Sequence, residues 1–332
     1  MRHKGHKGQM TTHLFGRNKQ STLVKASQSE RVDICSRLKR SVMAMQRESK
    51  PVPVAVIMIT LNEAHNIDAV LENLKGWAQE VYVVDSLSND GTVEIARKRG
   101  AHVVQHLFNG FGDQWNFALR ALPISAPWTM KLDPDERLGD DLKSSIRDAI
   151  ESGGADGIII RRRLWFMGRP LPIRQSVLRL WRTGLCKFTD VLVNEHPIVE
   201  GRLIVVQGDL EHLESLTLHH WLEKQNRYTT AEAATLYKGL PLAERPNLFG
   251  TSLQKRMWLK AHFYKLPMRY FLLFLYLFWV EGAWRGGRAG YAWARLRTEV
   301  YRTIEFKVLE MKLLGHAYEG PQNASVSDGA GQ

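Results

Sequence analysis

Val54 to Glu63 reads VAVIMITLNE, a continuous apolar run that stops at a polar corner. Val81 to Val84 is a second such run and ends in Asp85-Ser86-Leu87-Ser88-Asn89-Asp90-Gly91-Thr92. A third, Trp128 to Leu132, ends in Asp133-Pro134-Asp135-Glu136. Runs this short and this apolar predict strands buried on both faces, as parallel sheets require. Each delivers carboxylates or amides at its C-terminal end, where open α/β sheets bind ligands.

The segments between the runs carry the other half of the pattern. Ile67, Val70, Leu71 and Leu74 fall at i, i+3, i+4 and i+7, so a helix follows the first strand. Helices are also predicted from about Gly91 to Arg99, Gly112 to Leu122 and Leu138 to Ile150. Ala101 to Gln105 and Gly157 to Ile160 read as further strands. Strands alternating with helices of this length imply right-handed crossovers and a mainly parallel sheet with helices on both faces. After Arg161 the rhythm breaks. Val177–Trp181, Lys187–Val193 and Leu203–Gln207 read as an antiparallel edge of the sheet, and from Ser215 to about Gly315 the chain reads as helical.

The net charge of +12 is unevenly spread: residues 1–50 hold 12 Lys/Arg against 3 Asp/Glu, and the remainder 34 against 31. The basicity therefore belongs mainly to residues 1–50, expected to be a disordered tail, as are residues 319–332. Two cysteines exclude a disulfide framework and a Cys-rich metal centre, which suits a reducing cytosol. Phe271 to Val280 (FLLFLYLFWV) has ten residues, half of what a spanning helix needs. Cations flank it (Lys255, Arg256, Lys260, Lys265 and Arg269 before; Arg285, Arg288, Arg295 and Arg297 after), and Trp258, Trp279, Trp284 and Trp293 lie near it. That combination predicts helices lying in a membrane interface; the competing reading is a buried helical hairpin.

The chemistry gathers at the corners. Asp133 and Asp135, at i and i+2 on an irregular turn, can both reach one divalent ion, which prefers hard oxygen ligands. Such an ion would neutralise a diphosphate. Asp85 is placed to accept a hydrogen bond from a uracil imide or a ribose hydroxyl, with Asn62 and Glu63 lining the same pocket. Asp90 reads as a helix N-cap rather than a chemical group. Neither a G-x-G-x-x-G nor a Walker loop is present, which argues against dinucleotide and P-loop chemistry. His212, His219 and His220 lack metal-ligand spacing. Arg161-Arg162-Arg163 reads as a solvated strand end or a phosphate contact on an acceptor, and Arg179 with Arg182 as a diphosphate clamp or a water-facing pair.

The motifs I-T-L-N-E (59–63), V-V-D-S-x-S-N-D-G-T (83–92), G-D-Q-W-N-F-A-L (112–119) and L-D-P-D-E-R (132–137) together resemble the inverting family 2 glycosyltransferases of GT-A fold. The pattern is most similar to lipopolysaccharide-core β-glucosyltransferases. It extends through F-M-G-R-P (166–170), V-L-R-L-W-R (177–182), V-N-E-H (193–196), G-D-L-E-H (208–212) and W-L-E-K-Q-N-R-Y (221–228), covering roughly residues 54–315. Three positions depart from it: Leu87 stands where the pattern has glycine, Pro134 where it has a small residue, and Asn194 where it has histidine.

The resemblance implies a GT-A domain at 51–215, followed by a helical, membrane-interface region at 216–318. Thr60, Asn62, Glu63 and Asp85 would line the nucleotide pocket, and Gln114 and Asn116 would contact the donor. Asp133 would address the diphosphate and, with Asp135, hold Mg²⁺ or Mn²⁺. Glu195 would be the catalytic base, with Asp190 and Asp209 as competitors and pairing with Arg179 or Arg182 as its plainer role. The donor would be a UDP-sugar and the acceptor a lipid-linked or lipopolysaccharide-core glycan at the cytoplasmic face of the inner membrane, with the protein attached peripherally or monotopically. Nucleic acid is not an expected partner. The alternatives are a basic nucleic-acid-binding protein and a catalytically inactive nucleotide-sugar-binding one, the latter resting on Asn194.

Overall fold

The first apolar run becomes β1 (Val52–Thr60), in which Val54 through Met58 are without exposed surface. The computed structural model describes residues 50–189, 196–213, 217–239 and 245–317. The tails expected at 1–50 and 319–332 lie, Lys50 apart, outside the described residues. β1 is followed by α1 (Ala64–Leu74), β2 (Ala78–Asp85), α2 (Thr92–Lys98), β3 (His102–Gln105), α3 (Phe111–Ala121) and β4 (Trp128–Lys131). Strands β3, β2, β1 and β4 pair in parallel in that spatial order. In α1 the residues buried are Ile67, Val70, Leu71 and Leu74, the predicted stripe. Each side chain withdrawn from water contributes about 1.5–3 kcal/mol before entropy is charged against it.

Beyond β4 the chain gives β5 (Glu136–Leu138), α4 (Asp140–Ser152), β6 (Gly157–Phe166), β7 (Arg169–Arg182), β8 (Cys186–Phe188), β9 (Pro197–Val199) and β10 (Leu203–His212). The main sheet has eight strands, ordered β3-β2-β1-β4-β7-β6-β10-β5, and β8 and β9 make a separate pair. Two expectations change here. The segment Val177–Trp181 is not an antiparallel edge: it belongs to β7, which lies between β4 and β6, antiparallel to both, and the antiparallel edge is instead β5 on β10. The segments after Arg161 are also longer than their apolar cores suggest. β6 and β7 form one hairpin turned at Met167 and Gly168, both at positive φ, so polar Arg161 to Arg163 and Arg174 to Ser176 pair as well. Gly208 has φ +89, and a Cβ there would lie 2.5 Å from the backbone of Leu142, so only glycine lets β10 approach α4 this closely.

The helical part comprises α5 (Leu218–Tyr237), α6 (Ser252–Phe263), α7 (Arg269–Leu275) and α8 (Gly287–Leu314). Thr217 accepts the His220 N–H at the start of α5, and Thr251 with Gln254 forms a capping box on α6. The apolar run 271–280 is split between α7 and a π-helical turn at Tyr276–Val280. Leu273, Phe274 and Phe278 pack on a cluster that holds Phe166, Leu171, Trp221 and Trp293, whereas Phe271, Leu272, Tyr276, Trp279 and Val280 remain exposed. The run is thus half core and half surface. α8 is fixed to α5 by Lys307, whose ammonium donates to the Asn226 carbonyl and side chain and to the hydroxyls of Thr229 and Thr230.

Candidate active site

The register of β1 on β2 sets Thr60 opposite Asp85. The Thr60 hydroxyl donates to Asp85 Oδ1 at 2.8 Å, the Ser88 N–H to Oδ2 at 2.8 Å and Gln105 Nε2 to Oδ2 at 3.3 Å; the Ser88 hydroxyl adds a short fourth bond. Asp85 therefore has no exposed surface and all of its acceptor directions taken. Its role in this state is to shape the loop that follows, and contact with a uracil or ribose would require one of these bonds to open.

That loop is stitched to the end of β1. Asn62, at φ +56, donates its N–H to the Ser88 hydroxyl and accepts the Asn89 N–H. The Glu63 N–H donates to the Thr92 hydroxyl. Asp90 accepts from Ala64 N at 3.0 Å and Thr92 N at 3.1 Å, serving the first turns of α1 and α2 together. Leu87, where the family pattern has glycine, is held at φ +63 with an exposed side chain. A left-handed backbone costs a residue with a Cβ about 1–2 kcal/mol, so the surrounding bonds hold it there.

The third corner crosses from β4 to β5 and places two carboxylates differently. Asp133 Oδ2 accepts from Arg179 Nη2 at 2.8 Å. The same guanidinium bonds Glu136, whose other oxygen accepts the Asp133 N–H at 3.0 Å. Arg179 is 4% and Glu136 0% exposed, so this pair is sealed beneath the loop, with the partly exposed Asp133 at its rim. Asp135 Oδ2 accepts from Lys224 Nζ at 2.9 Å, with His212 Nε2 at 3.4 Å. Arg137 fastens the loop through the Pro134 carbonyl at 2.7 Å and the Asn66 carbonyl at 3.1 Å. Among the described residues, no hydrogen bond reaches the Oδ1 atom of Asp133 or of Asp135.

The electrostatics follow from these contacts. Burial works to raise the Asp133 carboxyl, but Arg179 and Lys131 outweigh it and hold it well below the usual carboxylate range. For Asp135 burial is likewise overcome, here by Lys224 and His212, and its carboxyl lies far below the usual range. Burial lifts Glu63 above its ordinary value, opposed by the Asn66 hydrogen bond and reinforced by the nearby negative charge of Asp135. The first and third corners therefore converge electrostatically through Glu63.

Other expected residues are placed less directly. Gln114 is fully enclosed, donating to the Ser86 hydroxyl at 2.9 Å and the His106 carbonyl at 3.1 Å, so it buttresses the wall behind the corner and cannot reach a donor directly. Asn116 commits its amide to both backbone groups of Phe188, pinning β8. Asp209 is clamped by Arg174 at 2.7 and 2.8 Å. Glu195, Asp190 and Asn194 lie outside the described residues. Arg182 remains 42% exposed along its side chain, with its guanidinium over the Trp128 ring, donating to the Ala155 carbonyl and 3.7 Å from Asp156. Arg179, Glu136, Lys224 and His212 are the site residues that sequence reading left without this role. Arg179 lies two residues from both Val177 and Trp181, on the face they share in an apolar strand, a signal that it points inward and must be paired.

A family model described as glycosyl transferase family 2 matches residues 55–198, which contain all three corners. Those residues form a family 2 glycosyltransferase domain. The glycosyltransferase is 27% identical over 253 residues to the lipopolysaccharide core biosynthesis glycosyltransferase LpsC of Rhizobium meliloti (strain 1021), spanning 72% of this chain and 85% of LpsC. It is 25% identical over 201 residues to the uncharacterized glycosyltransferase RP128 of Rickettsia prowazekii (strain Madrid E), spanning 56% and 68%. Among solved structures, mannosyl-3-phosphoglycerate synthase from Rubrobacter xylanophilus aligns at 19% identity and a TM-score of 0.30, over 39% of this chain and 43% of that one. The glycosyltransferase thus spans less than half the length of that structure. Its family 2 domain and mixed sheet with flanking helices fit an α/β GT-A fold.

Proposed function

We propose that this glycosyltransferase moves a hexose, glucose from a UDP donor, with inversion onto a hydroxyl of a lipopolysaccharide-core or other lipid-linked acceptor. The observation that carries the reading is the third corner: two ionised carboxylates at the C-terminal edge of the sheet, each held by a cation on one oxygen and, among the described residues, not hydrogen-bonded on the other. The similarity to LpsC, a lipopolysaccharide core biosynthesis glycosyltransferase, supports the acceptor class.

The donor set fits a hard divalent cation, since the Oδ1 atoms of Asp133 and Asp135 are both carboxylate oxygens. Asp133 and Asp135 would hold Mg²⁺ or Mn²⁺, which supplies charge neutralisation for a departing diphosphate. The remaining work falls to the chain itself. Arg179 and Glu136 fix the Asp133 carboxylate and keep it ionised. The stitched loops at Asn62–Glu63 and Ser86–Thr92 form a nucleotide wall, with Thr60 and Asp85 holding it from behind. Gln114 and Asn116 support the donor pocket at one remove. Glu195 is assigned as the base: ionised at neutral pH, it must come within about 2.6–3.2 Å of the acceptor hydroxyl to take its proton. A single displacement then inverts the anomeric carbon.

We divide the chain into a catalytic domain at 51–215 and a helical region at 216–318 that rests on the cytoplasmic face of the inner membrane. No helix among the described residues is long and apolar enough to cross a membrane. What supports surface attachment is the exposed set Phe271, Leu272, Tyr276, Trp279 and Val280, since apolar and aromatic side chains beside cations favour a bilayer interface. The test is incubation of purified protein with a panel of nucleotide sugars and a lipopolysaccharide-core or lipid-linked acceptor, with and without Mn²⁺, measuring released nucleotide. Release of UDP from one sugar, dependent on acceptor and metal, is expected. No release from any UDP-sugar refutes the reading.

A further inference from the structure

Lys224 enters the site from α5, 89 residues away in sequence from the carboxylate it meets. Its ammonium lies 2.9 Å from Asp135 Oδ2, and the lysine side chain is 19% exposed. The backbone beneath it is anchored on both sides. Trp221, one turn earlier, is 2% exposed against Phe166, and Arg297 and Lys307 of α8 bind Gln225 and Asn226. The helix is therefore a fixed mount, and the lysine reaches the carboxylate on a four-carbon stem of rotatable single bonds. A divalent ion on Asp135 and the ammonium would carry like charges within one carboxylate's reach, where they repel.

We propose that Lys224 is a resident counter-cation of the donor site: it occupies Asp135 in the donor-free protein and swings away when a divalent ion takes the carboxylate. Lys224 is then a positioning residue, and its pair with Asp135 lowers apparent metal affinity by the fraction of time the carboxylate is free. This rests on the reading of Asp135 as a metal-holding carboxylate. An ion pair closed about nine-tenths of the time weakens apparent affinity about tenfold.

The experiment measures Mn²⁺ binding to the full-length protein without nucleotide, by electron paramagnetic resonance of the free ion. Lys224→Gln is expected to bind Mn²⁺ about tenfold more tightly than wild type, and Lys224→Arg, which keeps the charge, no more tightly. In parallel, lysine acylation of the wild type is mapped by mass spectrometry. Saturating Mn²⁺ is expected to raise labelling of Lys224 several-fold while leaving Lys307, which is held by Asn226, Thr229 and Thr230, unchanged. Equal affinity in wild type and Lys224→Gln, or unchanged labelling at saturation, overturns this inference alone. Absence of Mn²⁺ binding in both proteins overturns it together with the metal reading beneath it.

Discussion

Replacing Arg179 by Met tests the sealed pair it forms with Glu136 under the third corner. At 2.8 Å and an effective dielectric constant of about 20, one guanidinium–carboxylate contact carries roughly 6 kcal/mol of gross attraction. Most of this is cancelled by the cost of taking the charges out of water. The loss on removing one partner is nevertheless about 3–5 kcal/mol, because Glu136 stays buried and keeps, among the described residues, the more distant Arg162 at 3.6 Å in place of a directly bonded guanidinium. For a domain of this size each kcal/mol moves Tm by about 2–4 °C, so Arg179→Met should melt roughly 6–20 °C lower in differential scanning calorimetry at pH 7. Arg179→Met combined with Glu136→Met should recover much of the loss, since the surviving Asp133 side chain is 30% exposed and can be hydrated. A single-variant Tm within 2 °C of wild type, or a double variant less stable than the single, would refute the reasoning.

Three further outcomes are expected. Asp135→Asn should lose Mn²⁺-dependent UDP-sugar binding and transfer while remaining folded, and full activity in that variant would remove the metal assignment. Wild-type stability should fall as pH drops below about 4: Asp133 and Asp135 have depressed folded values, so the unfolded chain binds the extra protons first, and their contribution, complete above the unfolded range, is lost on the way down. Denaturant midpoints from pH 6 to 2.5 check this, and a flat profile would contradict it. Replacing Phe271, Leu272, Trp279 and Val280 together with Ser should shift the protein from vesicle-bound to free in sedimentation with anionic vesicles while Tm changes little, since all four are more than half exposed; unchanged sedimentation would exclude this face.

The parts of the fold legible in the sequence were those encoded locally. The runs ending at Thr60, Asp85 and Leu132, and the stripe Ile67, Val70, Leu71 and Leu74, follow from period and composition alone. The place of β7 did not, because its pairing with β4 and β6 depends on neighbours remote in the chain. Arg161 to Arg163 concealed the length of β6 for a related reason: their partners, Gln175, Glu211 and Gln207, supply the compensation that an apolar count cannot see. Within the site, acids at strand ends were visible as types in positions. Their counter-charges, Arg179 at a separation of 46 residues and Lys224 at 89, were not, since ion pairing leaves no periodic trace. Gln114 and Asn116 carried the chemistry of ligand-binding amides, yet burial turned both to the protein's own backbone and hydroxyls.

The stitching between residues 62–64 and 85–92 has a mechanical consequence. Asn62, Glu63 and Ala64 are each tied to the second loop, and Asp90 alone grips the starts of two helices. Those two loops must travel as one stiff lip, so a base and ribose arriving there meet a preformed seat. Whatever yields on substrate entry belongs to the opposite bank, at the Asp135 carboxylate, which is met by the long side chain of Lys224 and by His212.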